Sequence, residues 1–593
     1  MAEALISPGV FLRENDLSQI TAGPITVGAA LVGPTVVGQP NIPTLVTSYS
    51  KYKAIFGTTF VSGGNTHEYM TSQAAYNYFQ QGGTSLLVTR VASGSYSSAT
   101  ASIANNKGTS SAFTLETLSV GTVMNNNQGA NTGSTCVNGI LPSGSANNVR
   151  WQISQADTAS GYFTLLIRRG DDYTSGQTVL ETWTNLSLDP NQNNYIAYVI
   201  GDQKETVRQE GGETYLQISG SYPNSSNYVR VREVFTPTPN YLNPQGQAYD
   251  QYTASIPING SGSANGSFGI ATGPLYGCFG PVDAAPLNMY EAIPVVASVP
   301  GTPTTNIQGI FPENYDIAIS LLANVDSYVY NSIYAPGLST QNATSQVSAL
   351  LATVQNRGDA IAVVDMVGYN QTITAASTAA QSYDNSYGAT YWPWVQVRSI
   401  ETGRLHFVPA SVIIPAVYEY NDKVAAEWFA PAGLNRGGLP TVIQPERRLT
   451  VGQRNTLYSA KVNPIAVFPG QGTVVYGQKT LQARASALDR VNVRRLLIAL
   501  KGYIGQIAAT LVFEQNTAVT RNKFLSQVNP YLDYVQQRQG LYAFRVVMDE
   551  TNNTPDVIDR NLLVGAIYLQ PTRTAEFIQL DFNILPTGVT FGA

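Results

Sequence analysis

Ala-Ile-Ala-Val-Val-Asp, residues 360 to 365, is a continuous apolar run that ends in a carboxylate. Such a run is typical of a central strand in a parallel sheet, because both faces of that strand are buried. A helical pattern precedes it at residues 345–357, and residues 315–322 begin the same region. This alternation of helix and strand predicts an α/β layer.

A second α/β region lies near the start of the chain. Residues 25–34 and 86–91 are apolar runs that predict buried strands. Between them, residues 68–81 predict a helix that ends at Gly82-Gly83, a common C-terminal stop. We therefore expect strands and helices of the same layer at both ends of a long intervening stretch.

The intervening residues 96–285 have a different composition, rich in Ser, Asn and Gly. Their pattern contains no long amphipathic helix. Short apolar stretches at 163–168 and 195–200 predict strands. This pattern predicts an inserted β-rich domain of sandwich or barrel type. Residues 21–95 and 286–440 are then expected to form one discontinuous α/β domain.

Residues 441–572 predict a C-terminal α+β domain, so the fold class is a multidomain α+β chain. Its centre is a predicted helix from Gln482 to Phe513, whose apolar stripe comprises Leu496, Leu500, Ile504, Ile507 and Leu511. Arg490, Arg494 and Lys501 fall within about 40° of each other on another face at 100° per residue. A solvated face and a docking stripe for an acidic surface both fit this pattern.

The two ends of the chain are predicted arms, residues 1–20 and 573–593. Near the C-terminus four apolar residues alternate with polar ones, which predicts a strand: Ile578, Leu580, Phe582 and Ile584. Val10 and Leu12 lie in a short extended stretch near the N-terminus. Such strands can complete a sheet of their own chain or pair with another chain. The pattern alone fits both interpretations.

Charge is scarce and unevenly placed. Only 12% of residues are charged, about half the usual share, which suits a surface that packs against other proteins. From Thr441 onward there are 16 Lys and Arg against 10 Asp and Glu, a net charge of +6. The first 440 residues carry −11. This asymmetry indicates an acidic partner, but no basic run exceeds two residues, so nucleic acid is not expected.

The sequence offers little material for catalysis, metals or cofactors. The nearest match to a phosphate loop starts at Gly472, but Gln478 separates its second glycine from Lys479. His67 and His406 are the only histidines, which disfavours a zinc site or a Ser-His-Asp triad. We therefore predict no catalytic, cofactor-binding or metal-binding residues and no enzymatic activity.

Redox and membrane signals are equally weak. Cys136 and Cys278 form no disulfide framework, which indicates assembly in a reducing cytoplasm. The longest apolar tract, residues 496–513, is interrupted by Lys501 and Gln506. No membrane insertion is therefore expected.

Several stretches, taken in order, resemble the contractile tail sheath proteins of bacteriophages and related injection machines. They run from the first arm to the C-terminal domain: Pro8-Gly9-Val10, Val32-Gly33-Pro34, Phe79-Gln-Gln-Gly82-Gly83 with Arg90-Val91, Trp428-Phe-Ala430-Pro431, Gly477-Gln-Lys-Thr-Leu481, Val491-Asn-Val-Arg494-Arg495 and Phe513-Glu-Gln-Asn516. One departure is Gln478-Lys479, where the family more often has a small residue followed by Arg. A contact made by that arginine is therefore not carried over to this chain.

The resemblance implies a virion protein, assembled in the host cytoplasm, that forms a helical sheath of stacked six-subunit rings around an inner tail tube. Its arms, through Val10, Leu12 and residues 578–584, would add strands to the C-terminal sheets of neighbours. Hinges are expected at 20–23 and 566–574. Contraction by rigid-body rotation would drive the tube through the host envelope.

The resemblance also implies partners. The inner tail tube, baseplate proteins and tail terminator or neck proteins would bind the sheath, and Arg490, Arg494 and Lys501 would face the tube. The alternative from another class is a virion or surface β-protein that binds glycans through its Asn- and Tyr-rich insertion. A hydrolase with an α/β layer is disfavoured by the two histidines.

Overall fold

The computed structural model describes residues 27–577 apart from 63–64, 93–97, 121–148, 170–176, 260–276, 279–307 and 309, together with Gln579. Within these residues the protein is a mixed α/β structure with several sheets. Four clusters of buried apolar side chains form its cores.

The first α/β region folds close to its predicted bounds. Its elements are β1 Val27–Pro34, β2 Thr44–Val46, α1 Tyr49–Phe56, β3 Thr59–Ser62, β4 Asn65–Glu68, α2 Met70–Gln80 and β5 Leu86–Val91. The predicted glycine stop after α2 is confirmed, since Gly82 has a φ of 106°. A Cβ added to Gly83 would lie 2.2 Å from the Tyr78 ring. Glycine therefore lets the chain turn closely around that ring.

The inserted region contains short strands and two short helices. They are β6 Ser98–Ala104, β7 Ser111–Val120, β8 Val149–Asp157, β9 Tyr162–Arg169, β10 Val179–Ser187, α3 Ile196–Ile200, β11 Lys204–Glu210, β12 Glu213–Ser219, β13 Val229–Val234, α4 Asp250–Thr253 and β14 Gly277–Cys278. A four-stranded sheet (order β10-β9-β8-β14) and a three-stranded sheet (β13-β7-β6) share one core. Phe113 of β7 stacks on Phe163 of β9 with centroids 5.7 Å apart. The two sheets thus pack face to face.

The two strands predicted in this insertion have different outcomes. Residues 163–168 lie within β9, as predicted, but the strand predicted at 195–200 is wrong because the helix α3 occupies it. Ile196 and Ile200 are one helical turn apart and both are buried in the core. Gly201, with a φ of 105°, ends the helix. A short apolar run fits either a strand or a helix. Here the helix forms because one of its faces packs into the core.

After the insertion the chain returns to the α/β layer. The elements are α5 Tyr315–Leu322, β15 Tyr330–Ser339, α6 Thr344–Arg357, β16 Ile361–Asp365, α7 Ile373–Gln381, β17 Gly388–Ala389, β18 Tyr391–Trp392, β19 Val395–Arg398, β20 Leu405–Val408, α8 Ile414–Val424, β21 Val442–Pro445, α9 Val451–Ser459, β22 Asn463–Phe468 and β23 Gly472–Val475. The main sheet has the order β17-β16-β15-β1-β5-β2. Its strands are parallel except for β2 at one edge.

The predicted central strand at 360–365 is confirmed as β16, buried along its whole length. Ala362 and Val364 face the core that contains α5, α6 and α7. Ile361 and Val363 face the opposite core, which contains α2 and α8. Helices on both faces explain the continuous apolar pattern, because successive side chains of a strand point to opposite sides.

Strands from before and after the insertion share this sheet, since β1 pairs with β5 on one side and with β15 on the other. Residues 442–481 also pack with it: Leu449, Leu457 and Leu481 belong to the core of α5 and α6. The boundary predicted at residue 441 therefore cuts through a common core.

The C-terminal region consists of α10 Val491–Ala509, α11 Ala518–Gln537, β24 Leu541–Val547, α12 Pro555–Asp559 and β25 Ala566–Pro571. The predicted apolar stripe is confirmed in a core shared with α11. The helix predicted from Gln482 to Phe513 is too long at both ends. Ser486 caps a short 3-10 turn before α10, and Phe513 has a φ of 72°, outside the helical region. Local hydrogen bonds replace the helix there.

Candidate functional site

The C-terminal sheet is an antiparallel pair of β24 and β25. Phe544, Ile567 and Leu569 pack against the core of α10 and α11, while Tyr542 and Tyr568 are 64% and 61% exposed. Among the described residues this sheet has two strands only. A two-stranded sheet is marginal by itself, and the edges of a sheet are where a further strand can pair. This sheet is therefore the candidate acceptor for a further strand.

The residues predicted to supply such strands lie outside the described residues: Val10, Leu12, Ile578, Leu580, Phe582 and Ile584. Their role as inter-subunit arms stays a prediction.

The hinge predicted at 566–574 is wrong over most of its length, because residues 566–571 form β25. The chain stays attached beyond the strand: the Thr572 hydroxyl donates to the carbonyl oxygen of Gln539 over 2.7 Å. The other predicted hinge, residues 20–23, lies outside the described residues.

Arg490 is the first of the three predicted docking cations, and it is engaged within the chain. It precedes α10, and its Nε and Nη2 lie 2.7 and 3.0 Å from the two carboxylate oxygens of Glu576. Its Nη1 lies 3.0 Å from Asp489. The guanidinium is thus balanced by carboxylates of its own chain.

Arg494 and Lys501 share a side of α10, as their spacing predicts, but only Lys501 is exposed. Both contact Tyr387: the Arg494 guanidinium lies 3.9 Å from the ring centroid, and the Lys501 Nζ lies 3.1 Å from the hydroxyl. Arg494 is 4% exposed and donates to the carbonyl oxygen and hydroxyl of Ser386. The expectation that all three cations share a solvated face is therefore wrong for Arg494, because it packs against the α/β layer. The docking role itself stays a prediction.

Arg495, next in the chain, forms an ion pair that the sequence reasoning missed. Its Nη1 and Nη2 lie 2.9 and 2.5 Å from the carboxylate oxygens of Asp422 in α8, and it stacks 4.5 Å from the Tyr418 ring centroid. The signal was present, since Val491 and Ile498, one turn away on either side, are apolar and buried. This buried pair joins α10 to the α/β layer.

Further carboxylates surround this pair. Burial, strengthened by the charge of Asp422, raises the pKa of Glu419 to about 7 despite the nearby Arg495. Burial also raises the pKa of Glu427. Arg495 is therefore the cation that balances a buried acidic cluster at the junction of α8 and α10.

The near phosphate loop has a different role in the structure. The Lys479 ammonium donates to the carbonyl oxygen of Tyr458 over 2.8 Å and lies 4.3 Å from the centroid of that ring. Within the described part of the chain, no group of three or more His, Cys, Asp or Glu side chains could hold a metal ion. The described helices include none long and apolar enough to cross a membrane.

Two family models match the chain in the region built above. Residues 314–481 match the phage tail sheath protein central domain, and residues 484–584 match the phage tail sheath C-terminal domain. Over these residues the chain is similar to the central and C-terminal domains of phage tail sheath proteins. The junction between the two sheath domains falls between Leu481, which lies in the core of the α/β layer, and α10.

Individual tail sheath proteins are similar over part of their length. The protein of Vibrio phage KVP40 is 34% identical over 284 residues, which are 46% of this chain and 41% of that protein. The protein of Enterobacteria phage T4 is 40% identical over 185 residues, 31% of this chain and 28% of that protein. The chain thus spans less than half the length of these two sheath relatives.

Solved sheath structures also match. The sheath tail protein of Desulfitobacterium hafniense is 12% identical, with a TM-score of 0.44, covering 95% of this chain and all of that one. The sheath of an extracellular contractile injection system in its contracted state is 25% identical, with a TM-score of 0.38, covering 43% of this chain and 71% of that one.

Proposed function

We propose that this chain is a structural subunit of a contractile tail sheath. Subunits polymerise into stacked six-subunit rings that form a helix around an inner tail tube. The observation that carries this proposal is the pair of family matches, which together run from residue 314 to 584 and include the open two-stranded sheet. The protein acts as a scaffold, and no enzymatic step belongs to the proposed function.

The links between subunits are strands exchanged in the C-terminal sheet. The arms around Val10 and Leu12 and around 578–584 would pair with the edges of β24 and β25 in neighbouring subunits. Backbone hydrogen bonds contribute about 1 kcal/mol each, and each buried apolar side chain contributes roughly 1.5–3 kcal/mol. An arm with several of each is worth on the order of 10 kcal/mol before the cost of association.

Contraction follows from these links. An extended sheath held in a metastable state would be triggered at the baseplate, and each subunit would then rotate as a rigid body and bury more surface. The strand links keep neighbours connected while rings rearrange, so the tube is driven through the host envelope. The sheath would occupy the virion tail, be assembled in the host cytoplasm, and contact the tube, the baseplate and the terminator or neck proteins, without binding nucleic acid or inserting into a membrane.

Removal of the C-terminal strand is the direct test. Deleting residues 578–593 leaves Glu576 and every named helix and strand in place but removes the alternating strand pattern. We expect the full chain to form long hollow tubes in negative-stain electron microscopy and the deletion variant to stay dispersed, because each subunit loses one link to a neighbour.

A matched pair of double variants distinguishes loss of the strand from the effect of a shorter chain. Leu580→Asp with Phe582→Asp places charge on the apolar face, and we expect no tubes. Gln579→Ala with Asn583→Ala changes the polar face only, and tubes should form. Tube formation by the deletion variant contradicts strand exchange. Dispersed full-length protein would contradict the sheath proposal itself.

Contact with the tube is proposed for the basic side of α10, where Lys501 is the exposed cation. Lys501→Glu should lower the fraction of tubes covered by sheath in complete particles without affecting self-assembly of the sheath protein. Each exposed ion pair is worth about 0–1 kcal/mol, but the loss repeats in every subunit. The covered fraction is counted by electron microscopy, with Lys523→Glu on α11 as the control. If Lys501→Glu leaves this fraction unchanged, Lys501 does not contact the tube.

A further inference from the structure

The segment that follows β25 is held tightly against the body of the subunit. Gln478 Nε2 lies 2.6 Å from the hydroxyl of Thr574 and 3.1 Å from one carboxylate oxygen of Glu576. Phe577, the next residue, is 85% exposed. The exposed Phe577 side chain thus directly follows the anchored residue Glu576.

Glu576 is the centre of this attachment. Its Oε1 accepts from Arg490 Nε over 2.7 Å as well as from Gln478, and its Oε2 accepts from Arg490 Nη2 over 3.0 Å and from the Tyr458 hydroxyl over 2.8 Å. The carboxylate side chain is 17% exposed. Bidentate pairing with arginine fixes direction as well as position, because both planar groups must align. We name these four residues, Tyr458, Gln478, Arg490 and Glu576, the arm clamp.

The arm clamp joins three parts of the fold. Tyr458 lies in α9 and Gln478 follows β23, both within the match to the central domain. Arg490 immediately precedes α10, and Glu576 follows β25, within the match to the C-terminal domain. A single carboxylate thus connects both domains to the point where the C-terminal segment leaves the subunit.

The electrostatics agree with this geometry. Burial raises the pKa of Glu576, but hydrogen bonds from Arg490, Tyr458 and Gln478 outweigh it and hold that pKa below its ordinary value. Asp489 also pairs with Arg490, over 3.0 Å. The ammonium of Lys479, held over the Tyr458 ring, adds a second cation to the same side. The clamp is therefore a charged network centred on Glu576, in which both carboxylate oxygens accept two hydrogen bonds each.

We propose that Glu576 is a positioning residue that fixes the root of the C-terminal arm, so that the arm leaves every subunit at the same place and in the same direction. This inference rests on the proposed sheath function. It moves the pivot of the arm from the predicted hinge at 566–574 to Phe577 and beyond. During rotation of the subunit, residues 572–576 would then move as part of the rigid body.

A fixed arm root raises the effective concentration of the arm strand at the neighbouring subunit's sheet. From residue 578 to 593 the arm has 16 residues, and a fully extended chain spans at most about 3.3–3.6 Å per residue. Release of the clamp would lengthen the tether of the proposed strand by residues 573–577, since Thr572 keeps its own bond to Gln539, and would remove the fixed direction. A longer, undirected tether lowers the local concentration of the strand at the neighbour's sheet, so strand exchange would weaken without loss of any contact in that sheet.

Trypsin cleavage at Arg573 tests the clamp in the single chain, since cleavage there requires residues around 574–576 to open. In full-length Glu576→Gln, we expect residues 574–593 to be released about tenfold faster than in the natural chain, the effect of losing one charge-assisted hydrogen bond. Cleavage after Arg560, which directly follows α12, serves as the internal reference. Glu514→Gln, an exposed carboxylate in the same region, is the matched control and should leave both rates unchanged.

Assembly of the same variants tests the role of the clamp. We expect the lowest protein concentration at which tubes form to rise roughly fivefold in Glu576→Gln through the weaker local concentration, with thermal unfolding of the subunit body little changed. Arg490→Lys keeps the charge but not the bidentate geometry. Its threshold concentration should therefore lie between those of the natural chain and Glu576→Gln. Equal release rates overturn the clamp, and faster release with an unchanged assembly threshold overturns its positioning role. If the natural chain forms no tubes, the sheath proposal fails, and with it the positioning role, while the release rates still decide whether the clamp exists.

Discussion

Arg495→Met is expected to destabilise the subunit by about 3–5 kcal/mol, the usual effect of removing one partner of a buried ion pair. Arg495 is 4% exposed, and both its terminal nitrogens contact the carboxylate of Asp422. Methionine fills much of the same volume, so the loss is mainly electrostatic. The free energy of unfolding, measured by urea titration at pH 7.5, gives the effect directly.

The pH dependence of this variant provides a second, independent check. Burial already raises the pKa of Glu419 and of Glu427, and Arg495 is the cation that opposes this rise. Without Arg495, these two carboxyl groups should bind protons more readily in the folded state than in the unfolded chain. A carboxyl group whose folded pKa is raised loses stability as the pH rises toward that pKa. The deficit of Arg495→Met should therefore be smaller at pH 5 than at pH 8.

Arg484→Met is the control, because Arg484 is an exposed arginine just before α10. Surface substitutions of this kind usually change stability by less than about 0.5 kcal/mol. A deficit of the same small size in Arg495→Met, at both pH values, would mean that the acidic cluster is not held by this cation.

The sequence predicts an element of this fold well where its apolar pattern shows which faces of the strand or helix are buried. The run at 360–365 does so, and β16 lies where it was expected with helices on each face. The apolar stripe of α10 was equally predictive. By contrast, residues 482–490 fit a helical period but form a turn, because Ser486 and Gln482 make local hydrogen bonds that no periodicity reveals.

The candidate site shows a different limit. Helical spacing places Arg494 and Lys501 on one side of α10, and the structure agrees, but spacing does not say that Tyr387 and Ser386 cover the Arg494 end. Arg490 pairs with Glu576, 86 residues later in the chain. Partners so distant in sequence are fixed by tertiary packing, so charge pattern alone could not separate a docking cation from an anchoring one.

Asp365 is expected to make the stability of the subunit depend strongly on pH. It ends β16, is 4% exposed, and accepts from the hydroxyl and backbone N–H of Ser411 over 2.5 and 3.3 Å. Burial raises its pKa from 3.8 to about 7, against the opposing effect of these hydrogen bonds. The protonated carboxyl is therefore favoured in the folded state.

The sign follows from this shift. Since the folded pKa lies above the unfolded one, the stabilising proton is fully retained below about pH 4 and is lost as the pH rises to about 7, with little further change above it. A difference of about three pKa units corresponds to on the order of 4 kcal/mol. Asp365→Asn removes this titration, so its stability should vary less between pH 5 and pH 8 than that of the natural chain.

Urea midpoints at pH 5, 6, 7 and 8 measure the effect, with Asp559→Asn as the control because Asp559 is exposed at the end of α12. The asparagine keeps an acceptor for Ser411 and carries no charge at any of these four pH values. The urea midpoint of Asp365→Asn should therefore come closest to that of the natural chain, or exceed it, at pH 8. Parallel stability curves for the natural chain and Asp365→Asn would mean that Asp365 is already ionised in the fold at pH 5. In that case the Ser411 hydrogen bonds, rather than burial, would dominate at the end of this central strand.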